Sequence, residues 1–449
     1  MKYNFKFLKI LVYFFIIYFL GFTHNLYAQH VFLISIDGST PDFYMDSFWE
    51  APHLKELKKN GIYAETGAKS VFPSITYPAH TSIITGANPI NHGIYFNSPF
   101  ESAPGHANWY SCVIKTRTIW EAIREAGLSS ASIYWPVTVG APVDFLFPVR
   151  RPGEGEVGNQ LSVTLPYVRP RDLLSDVEKE TGKKLTGESF LIREDFRESK
   201  NIALLSNYII RKYKPNFTAV HFVGIDHQRH AHGRNATQVK EILRITDSLI
   251  GTILQSVKDA GIGDSTTIII TGDHGHINTN STFSPNVYLY KHKYLDERGW
   301  KAKFHSGFLY LKNQNDDGIV ESISSILKNT EEFKQGDFVI LNRDTLNKLG
   351  ADPNARIALA TKEGIKITNN FKGEATKKFS GKASGHGYLP SYSSMNTSFI
   401  ISGARVTSPG SLKQEIRITD IAALISKLLD LNFDAPDGAL IPGIIEEKN

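Results

Sequence analysis

Val31-Phe32-Leu33-Ile34-Ser35-Ile36-Asp37-Gly38 is the stretch that decides the fold class. It is an almost unbroken apolar run, long enough for one strand, and it ends in an acidic residue and a glycine. The same pattern returns at Phe217–Val223, which ends at Asp226, and at Thr266–Thr271, which ends at Asp273. Short continuous apolar runs are typical of strands that are buried on both faces of a parallel sheet.

Helical patterns alternate with these runs. Helices are predicted at Ala51–Asn60, Thr118–Ala126, Ile202–Tyr213, Val239–Ala260 and Asp420–Leu429, and further strands at Ala131–Tyr134 and Thr397–Ile401. Such alternation predicts an α/β fold whose mainly parallel central sheet carries helices on both faces. Residues 281–382 follow less regular patterns, and we expect them to form an irregular lobe inserted within one catalytic domain, residues 29–449.

The N-terminus has the pattern of an export signal. Lys2, Lys6 and Lys9 precede an uncharged apolar run, Ile10–Phe22, which is shorter than the roughly 20 residues that a spanning helix needs. Residues 1–28 are therefore predicted to be a signal peptide, and the mature chain has no other run long enough to span a membrane. Cys112 is the only cysteine, so no intramolecular disulfide can form. This combination favours a bacterial periplasm or cell surface.

Composition argues against one class of partner. Of the 449 residues, 50 are Lys or Arg and 45 are Asp or Glu, which gives a net charge of only +5. No basic run with interleaved aromatic residues is present. We therefore expect a small-molecule substrate and no binding to a nucleic-acid polymer. These features leave the oligomeric state open.

The acidic residues at the strand ends, with nearby histidines, point to a metal site. In an open α/β sheet, ligands bind beyond the carboxyl ends of the strands, where Asp37, Asp226 and Asp273 would lie. His230 is four residues after Asp226 and would share a helix face with it. His274 follows Asp273 directly, and His386 lies between two glycines. Carboxylates and imidazoles are the oxygen and nitrogen ligands that zinc prefers.

A candidate nucleophile lies in Phe72-Pro73-Ser74-Ile75-Thr76-Tyr77-Pro78-Ala79-His80. This segment is expected to place the Thr76 hydroxyl in a turn just before a helix over Thr81–Thr85. A helix N-terminus favours anions, because its free N–H groups and its dipole point toward them. The residues together predict a metal-dependent enzyme that acts on phosphoryl groups.

Taken as a set, these motifs resemble the nucleotide pyrophosphatase/phosphodiesterase branch of the alkaline phosphatase superfamily. The resemblance rests on blocks that keep the family's order along nearly the whole mature chain. These blocks are Ser35-Ile36-Asp37-Gly38, Phe72 to Pro78, Thr85-Gly86, Asn91-His92-Gly93-Ile94, Tyr134-Trp135-Pro136, Asp226 with His230, Asp273-His274-Gly275 and Gly385-His386-Gly387-Tyr388.

The resemblance implies an alkaline-phosphatase-like fold and two zinc ions. One ion would be held by Asp226, His230 and His386, and the other by Asp37, Thr76, Asp273 and His274. It implies that Thr76 attacks phosphorus and becomes phosphorylated. It also implies that Asn97 donates a hydrogen bond to a phosphate oxygen, and that Tyr77 and Trp135 belong to the substrate pocket. From the residues alone, Asn97 would be interpreted as a turn residue, and Tyr77 could equally well pack in its turn.

The chain departs from the family pattern around the pocket. Ala79 replaces a common asparagine, and Ser39-Thr40 replace an apolar residue followed by arginine. No second aromatic residue follows Phe147-Pro148, so a nucleotide substrate is only one expectation. A phosphomonoesterase or a phosphonate hydrolase with the same metals is the nearest alternative. The sequence around Cys112 argues against a sulfatase. A non-catalytic binding protein is the remote alternative.

Overall fold

The computed structural model describes residues 29–191 and 195–446, so the predicted signal peptide, residues 1–28, lies outside the described residues. The strands are β1 (His30–Ile36), β2 (Gly61–Ala64), β3 (Ala68–Lys69), β4 (Ser130–Ile133), β5 (Phe145–Phe147), β6 (Phe217–Phe222), β7 (Thr266–Thr271), β8 (Ile277–Phe283), β9 (Ala302–His305), β10 (Phe308–Leu311), β11 (Phe338–Leu341), β12 (Ile357–Thr361), β13 (Ile365–Ile367), β14 (Thr376–Gly385), β15 (Phe399–Gly403), β16 (Gly410–Leu412) and β17 (Ile416–Arg417).

Helices connect most of these strands. They are α1 (Asp42–Met45), α2 (Pro52–Lys59), α3 (Thr76–Thr85), α4 (Pro89–His92), α5 (Ile119–Glu125), α6 (Gln160–Thr164), α7 (Leu173–Thr181), α8 (Arg197–Tyr213), α9 (Gly224–His232), α10 (Thr237–Asp259), α11 (Asn286–Lys291), α12 (Asp317–Lys328), α13 (Glu331–Lys334), α14 (Arg343–Lys348) and α15 (Asp420–Leu428). Within the described ranges, no helix combines the length and the apolar character that crossing a membrane requires.

The central sheet has eight strands in the order β16-β2-β15-β7-β1-β6-β4-β5. β1 runs parallel to both β6 and β7, and β4 runs parallel to β5 and β6. The sheet is therefore mainly parallel, as the apolar runs predict. β15 is the exception, since it comes from the C-terminal part of the chain and lies antiparallel between β7 and β2.

Both faces of the sheet are covered by helices. Phe32 and Ile34 of β1 belong to one apolar core, which also contains residues of α2, α8 and α10. Val31 and Leu33 point to the opposite face and belong to a second core with residues of α3, α5 and α15. Successive side chains of a strand alternate between faces, so a strand buried on both sides must be apolar throughout. The predicted fold class is confirmed.

The inserted lobe contains more regular structure than its sequence patterns indicate. β9 to β12 form a four-stranded antiparallel sheet in the order β11-β12-β10-β9. Phe304, Leu309 and Leu359 of this sheet pack with α11 and α12 in an apolar cluster of their own. β8 and β14 link the lobe to the main sheet, and the boundary of the lobe at residues 281 and 382 stays a prediction.

Helix α3 begins five residues earlier than its sequence predicts, at Thr76 itself. Pro78 is the reason that the pattern misleads, because a proline is usually a sign of irregular chain. Here Pro78 occupies the first turn, where the backbone N–H groups have no intrahelical partner and the missing one costs nothing. Thr76 is therefore the first residue of a helix and not part of the preceding turn.

Candidate active site

Three strand ends meet at one edge of the central sheet. β1 is flanked by β6 and β7, with Ile36 opposite Phe222 and Ser35 opposite Thr271. Asp37 follows β1 and is 3% exposed, and Asp273 follows β7 and is fully buried. Asp226 follows β6 in the first turn of α9. The three carboxylates that the sequence places at strand ends therefore share one site.

The first cluster consists of Asp226, His230 and His386. His230 Nε2 lies 3.3 Å from Asp226 Oδ1 and 3.1 Å from His386 Nε2. His386 Nε2 lies 3.7 Å from the same carboxylate oxygen. Because α9 is helical, the four-residue spacing puts Asp226 and His230 on one face, as predicted. His386 reaches them from the turn that follows β14.

The second cluster consists of Asp37, Asp273 and His274. His274 Nε2 lies 3.6 Å from Asp37 Oδ1 and 3.1 Å from Asp273 Oδ2. The two clusters touch, since the rings of His274 and His386 stack with centroids 3.7 Å apart and planes 10° apart. Each cluster is a group of ligand atoms close enough to surround one metal ion.

Backbone carbonyls orient the three imidazoles. The Nδ1 atom of His230 lies 2.9 Å from Ser384 O, that of His386 lies 2.9 Å from Ser74 O, and that of His274 lies 3.1 Å from Gly275 O. A carbonyl only accepts, so each Nδ1 carries the proton and each Nε2 has a free lone pair directed into its cluster. Metal-binding histidines are usually held in this way.

The charges of the clusters also fit a cation. Burial, followed by repulsion from Asp273 and Asp226, raises the pKa of Asp37 well above its usual value. Asp37 Oδ1 and Asp273 Oδ2 are buried and accept no hydrogen bond from any described residue. Burial lowers the pKa of His274 to about 3, so its ring is neutral. Buried carboxylate oxygens without donors, beside neutral imidazoles, are the donor set that a divalent metal requires.

Thr76 faces the second cluster. It is 8% exposed, and its Oγ1 lies 3.5 Å from His274 Nε2. His80, one helical turn later, is bound through Nδ1 to the carbonyl of Thr76 at 2.8 Å. The hydroxyl therefore lies at the N-terminus of α3 and at the edge of the carboxylate cluster, where an anionic group would bind.

Asn97 lies beside the nucleophile candidate. Its Oδ1 accepts a hydrogen bond of 2.9 Å from the backbone N–H of Tyr77, and it is half-buried. This bond satisfies one of the free N–H groups at the start of α3 and leaves the amide NH₂ group available to donate. Tyr77 is 9% exposed and packs edge-on against Trp109, with ring centroids 5.9 Å apart.

Trp135 lies behind the site. It is fully buried in the second apolar core and meets His80 edge-on, with ring centroids 4.8 Å apart. In this structure it has no exposed surface to offer a substrate, so it supports the site through His80. Its contact with substrate stays a prediction that this placement does not favour.

The structure adds polar residues that the sequence reasoning missed. His276 joins Asp226 and His274 in a third group of candidate ligand atoms. His221 Nε2 lies 3.2 Å from Asp37 Oδ2, and Arg229 is fully buried beneath the turn that follows β1. His276 could have been recognised from the sequence as a candidate site residue, because it lies only two residues beyond His274. No sequence feature pointed to Arg229, since an arginine beside a predicted ligand is ordinarily exposed.

The sequence comparison now decides the family. A sequence model of the type I phosphodiesterase / nucleotide pyrophosphatase family matches residues 31–388, which include both clusters, Thr76 and Asn97. The chain belongs to this family. The type I phosphodiesterase motifs quoted above therefore lie within the matched region, and the resemblance stated from them is confirmed.

Individual relatives of this phosphodiesterase family are distant. Human ectonucleotide pyrophosphatase/phosphodiesterase family member 1 is 23% identical over 279 residues, which cover 59% of this chain and 25% of that protein. The chain thus spans about a quarter of the length of this relative. An uncharacterized pyrophosphatase/phosphodiesterase of Schizosaccharomyces pombe is 22% identical, over 92% of this chain and 79% of that protein. The mouse bis(5'-adenosyl)-triphosphatase is 27% identical, over 55% and 47%.

Solved structures share the fold. Human ectonucleotide pyrophosphatase/phosphodiesterase 5 superimposes with a TM-score of 0.66 at 19% identity, covering 92% of this chain and 97% of that one. Its murine counterpart, solved as an inactive variant in complex with AMP, gives a TM-score of 0.64 at 17% identity, covering 92% and 97%.

Proposed function

We propose that this chain is a metal-dependent hydrolase of phosphodiester or pyrophosphate bonds, with Thr76 as its nucleophile. The family assignment supports the reaction class. The observation that carries the proposal is the position of Thr76 Oγ1, 3.5 Å from His274 and beside Asp37 and Asp273, each of which has one buried carboxylate oxygen without a hydrogen-bond donor. No other hydroxyl group among the described residues is proposed for this role.

Two zinc ions are the cofactors that the donor sets fit. Asp226, His230 and His386 would hold one, and Asp37, Asp273 and His274 would hold the other together with Thr76. When bound, two such cations would lower the pKa of a hydroxyl and would neutralise charge on the attacking and leaving oxygens of an in-line displacement.

The protein's own residues would supply the nucleophile and bind the phosphate. Thr76 Oγ1 attacks phosphorus, its proton passes to solvent, and a phospho-threonine forms as the leaving group departs with the electron pair of the broken P–O bond. The amide NH₂ of Asn97 donates to a non-bridging phosphate oxygen, and the N-terminus of α3 favours the same negative charge. Water then attacks the phosphorus, the bond between phosphorus and Thr76 Oγ1 breaks, and a proton from that water restores the Thr76 hydroxyl.

The substrate is a small phosphate ester. Tyr77 stands beside the nucleophile and could stack on a nucleobase, a contact worth about 1–3 kcal/mol. A small-molecule diester or nucleotide is therefore our proposed substrate class. The ectoenzyme names of several relatives support an exported protein, and a bacterial periplasm or cell surface is the compartment we propose.

Three chromogenic substrates test the proposal. Initial rates of the zinc-loaded protein are compared on p-nitrophenyl thymidine monophosphate, bis-p-nitrophenyl phosphate and p-nitrophenyl phosphate. We expect the two diesters to be preferred, Thr76→Ala to abolish turnover, and the zinc content of that variant to be largely retained. Thr81→Ala, one helical turn and one residue away on α3, is the matched control. A preference for the monoester, or full activity in Thr76→Ala, would overturn the proposal.

A further inference from the structure

A cavity of about 280 Å³ opens beside the first cluster. His230, His386 and Tyr388 line it on the side of the main sheet, and Leu359 and Lys366 line it from the inserted lobe. Ile75 and Phe72 also line it, so the cavity extends to the residue that precedes Thr76. It is slightly smaller than the roughly 300 Å³ at the lower end of the range for ligand pockets.

The position of the cavity relative to Thr76 indicates which part of the substrate the cavity would hold. Thr76 Oγ1 lies next to the second cluster, 3.5 Å from His274, and His274 is separated from the cavity by the stacked ring of His386. Neither His274 nor the carboxylates of the second cluster line the cavity. An in-line displacement places the leaving oxygen opposite the nucleophile. A group that leaves past His230 and His386 would therefore enter this cavity.

Lys366 determines the charge of that group. It is exposed on β13, and no carboxylate lines the cavity with it. Within the part of the chain that the structure describes, Lys366 forms no ion pair. The stem of Lys366 passes close to Gly385, the residue directly before His386. Its Cδ atom lies 3.8 Å from the position that a Cβ atom on Gly385 would occupy. The stem therefore runs toward the metal clusters. An unpaired ammonium at the wall of a cavity attracts an anion.

We propose that this cavity is a leaving-group subsite and that Lys366 makes it selective for a leaving group that carries phosphate. This inference rests on the proposed function. The reaction would be the cleavage of a phosphoanhydride: the bond between phosphorus and Thr76 Oγ1 forms, and the bridging P–O bond breaks. Its electron pair stays on the departing phosphate oxygen, which is an anion, and water completes the hydrolysis. A neutral alcohol would gain nothing from Lys366.

A pair of substrates that share one half tests this subsite. Thymidine triphosphate and p-nitrophenyl thymidine monophosphate both retain the thymidylyl group, and they differ only in what leaves, pyrophosphate or p-nitrophenolate. We expect Lys366→Gln to lower the ratio of kcat/KM for the triphosphate over the nitrophenyl ester by about tenfold, and Lys366→Glu to lower it further. Lys377→Gln, an exposed lysine on β14 outside the cavity, should leave the ratio as it is in the parent protein.

A binding measurement separates this inference from the proposed function. In the Thr76→Ala background, with free zinc buffered, calorimetry compares thymidine triphosphate with thymidine monophosphate, which has no leaving group. Adding Lys366→Gln should weaken the triphosphate about tenfold and the monophosphate by less than twofold. An equal loss for both ligands, or an unchanged kcat/KM ratio, would overturn the subsite. Hydrolysis that persists in Thr76→Ala would instead overturn the proposed function.

Discussion

The ring of His276 is hydrogen-bonded to the carboxylate of Asp226, with Nε2 2.8 Å from Oδ1. The Nδ1 atom of the same ring lies 3.0 Å from the hydroxyl of Ser384, whose Oγ donates to the carbonyl of Arg229 at 2.7 Å. Burial alone would raise the pKa of Asp226, but its polar contacts with His230 and His276 hold it well below its usual value. His276 therefore fixes the orientation and the charge of a proposed metal ligand.

Removing His276 should weaken the metal and leave the fold intact. Residues that orient metal ligands typically change metal affinity by about 10–100-fold when they are mutated. We expect His276→Ala to lower zinc affinity in that range, as measured by competition with a fluorescent chelator. His292→Ala, an exposed histidine on the inserted lobe, is the control. Unchanged zinc affinity in His276→Ala would show that Asp226 needs no such support.

Asn97 can be divided into its two functions by two substitutions. Asn97→Ala removes both the acceptor for Tyr77 N–H and the proposed donor to phosphate, whereas Asn97→Asp keeps the acceptor and places negative charge near the phosphate. Loss of one donor to a developing oxyanion costs about 10²–10³ in kcat. We expect both variants to lose at least that much activity, with Asn97→Asp the less active and yet the more stable to urea. The opposite order in activity would rule out the donor role.

Arg229 should matter for stability more than its location beside His230 suggests. Its guanidinium donates to Gly38 O at 2.5 Å and to Thr40 Oγ1 at 3.0 Å, and it lies 4.5 Å from the centre of the Phe43 ring. Arg229→Met leaves these acceptors buried without donors, which costs on the order of 3 kcal/mol. The free energy of unfolding in urea measures this loss. Arg244→Met, on the exposed side of α10, should change it by less than about 0.5 kcal/mol.

The stability of the metal-free protein should fall as the pH drops below neutrality, and His92 is one cause. His92 is fully buried, with Nδ1 accepting from Ile94 N–H at 3.1 Å and Nε2 3.0 Å from Ser82 Oγ. Burial lowers its pKa to about 3. A histidine in an unfolded chain has a pKa of about 6.5. Between pH 6.5 and 3, the unfolded state therefore binds a proton that the folded state excludes.

Each such histidine removes up to about 1.4 kcal/mol of stability per pH unit as the pH falls through that window. Urea unfolding of the chelator-treated protein at pH 7, 6 and 5 should therefore show a smaller pH dependence in His92→Gln than in the parent protein. His292→Gln, a substitution of an exposed histidine, should leave the pH dependence of unfolding as it is in the parent protein. Identical slopes in all three proteins would mean that His92 is protonated without unfolding.

The sequence predicts the part of the site that follows from strand ends. Asp37, Asp226 and Asp273 each end a buried run, and parallel strands bring such ends together at one edge, so their meeting could be inferred without coordinates. His386 was a candidate because glycines flank it, but only the family resemblance assigned it to the cluster of Asp226 and His230, since it reaches the site from beyond the inserted lobe. The roles of these residues as ligands stay predictions.

The remainder depends on contacts that no local pattern encodes. Arg229 follows a helical periodicity that would equally suit an exposed side chain, and only the packing of α9 on the turn after β1 buries it. Lys366 lies on a short strand of the lobe, and its position beside His386 depends on the register of β13 with β8, in which Lys366 is opposite Thr282. The start of α3 at Thr76 required knowing that Pro78 lies within its first turn.

The position of β15 in the central sheet has a consequence for how the protein matures. Because β15 lies between β7 and β2, a chain that stops before Phe399 has a gap in the middle of its sheet, next to the strand that carries Asp273. Closing that gap joins residues that are more than a hundred positions apart, which is entropically costly and slow. The central sheet of a nascent chain is therefore incomplete until β15 has been synthesised.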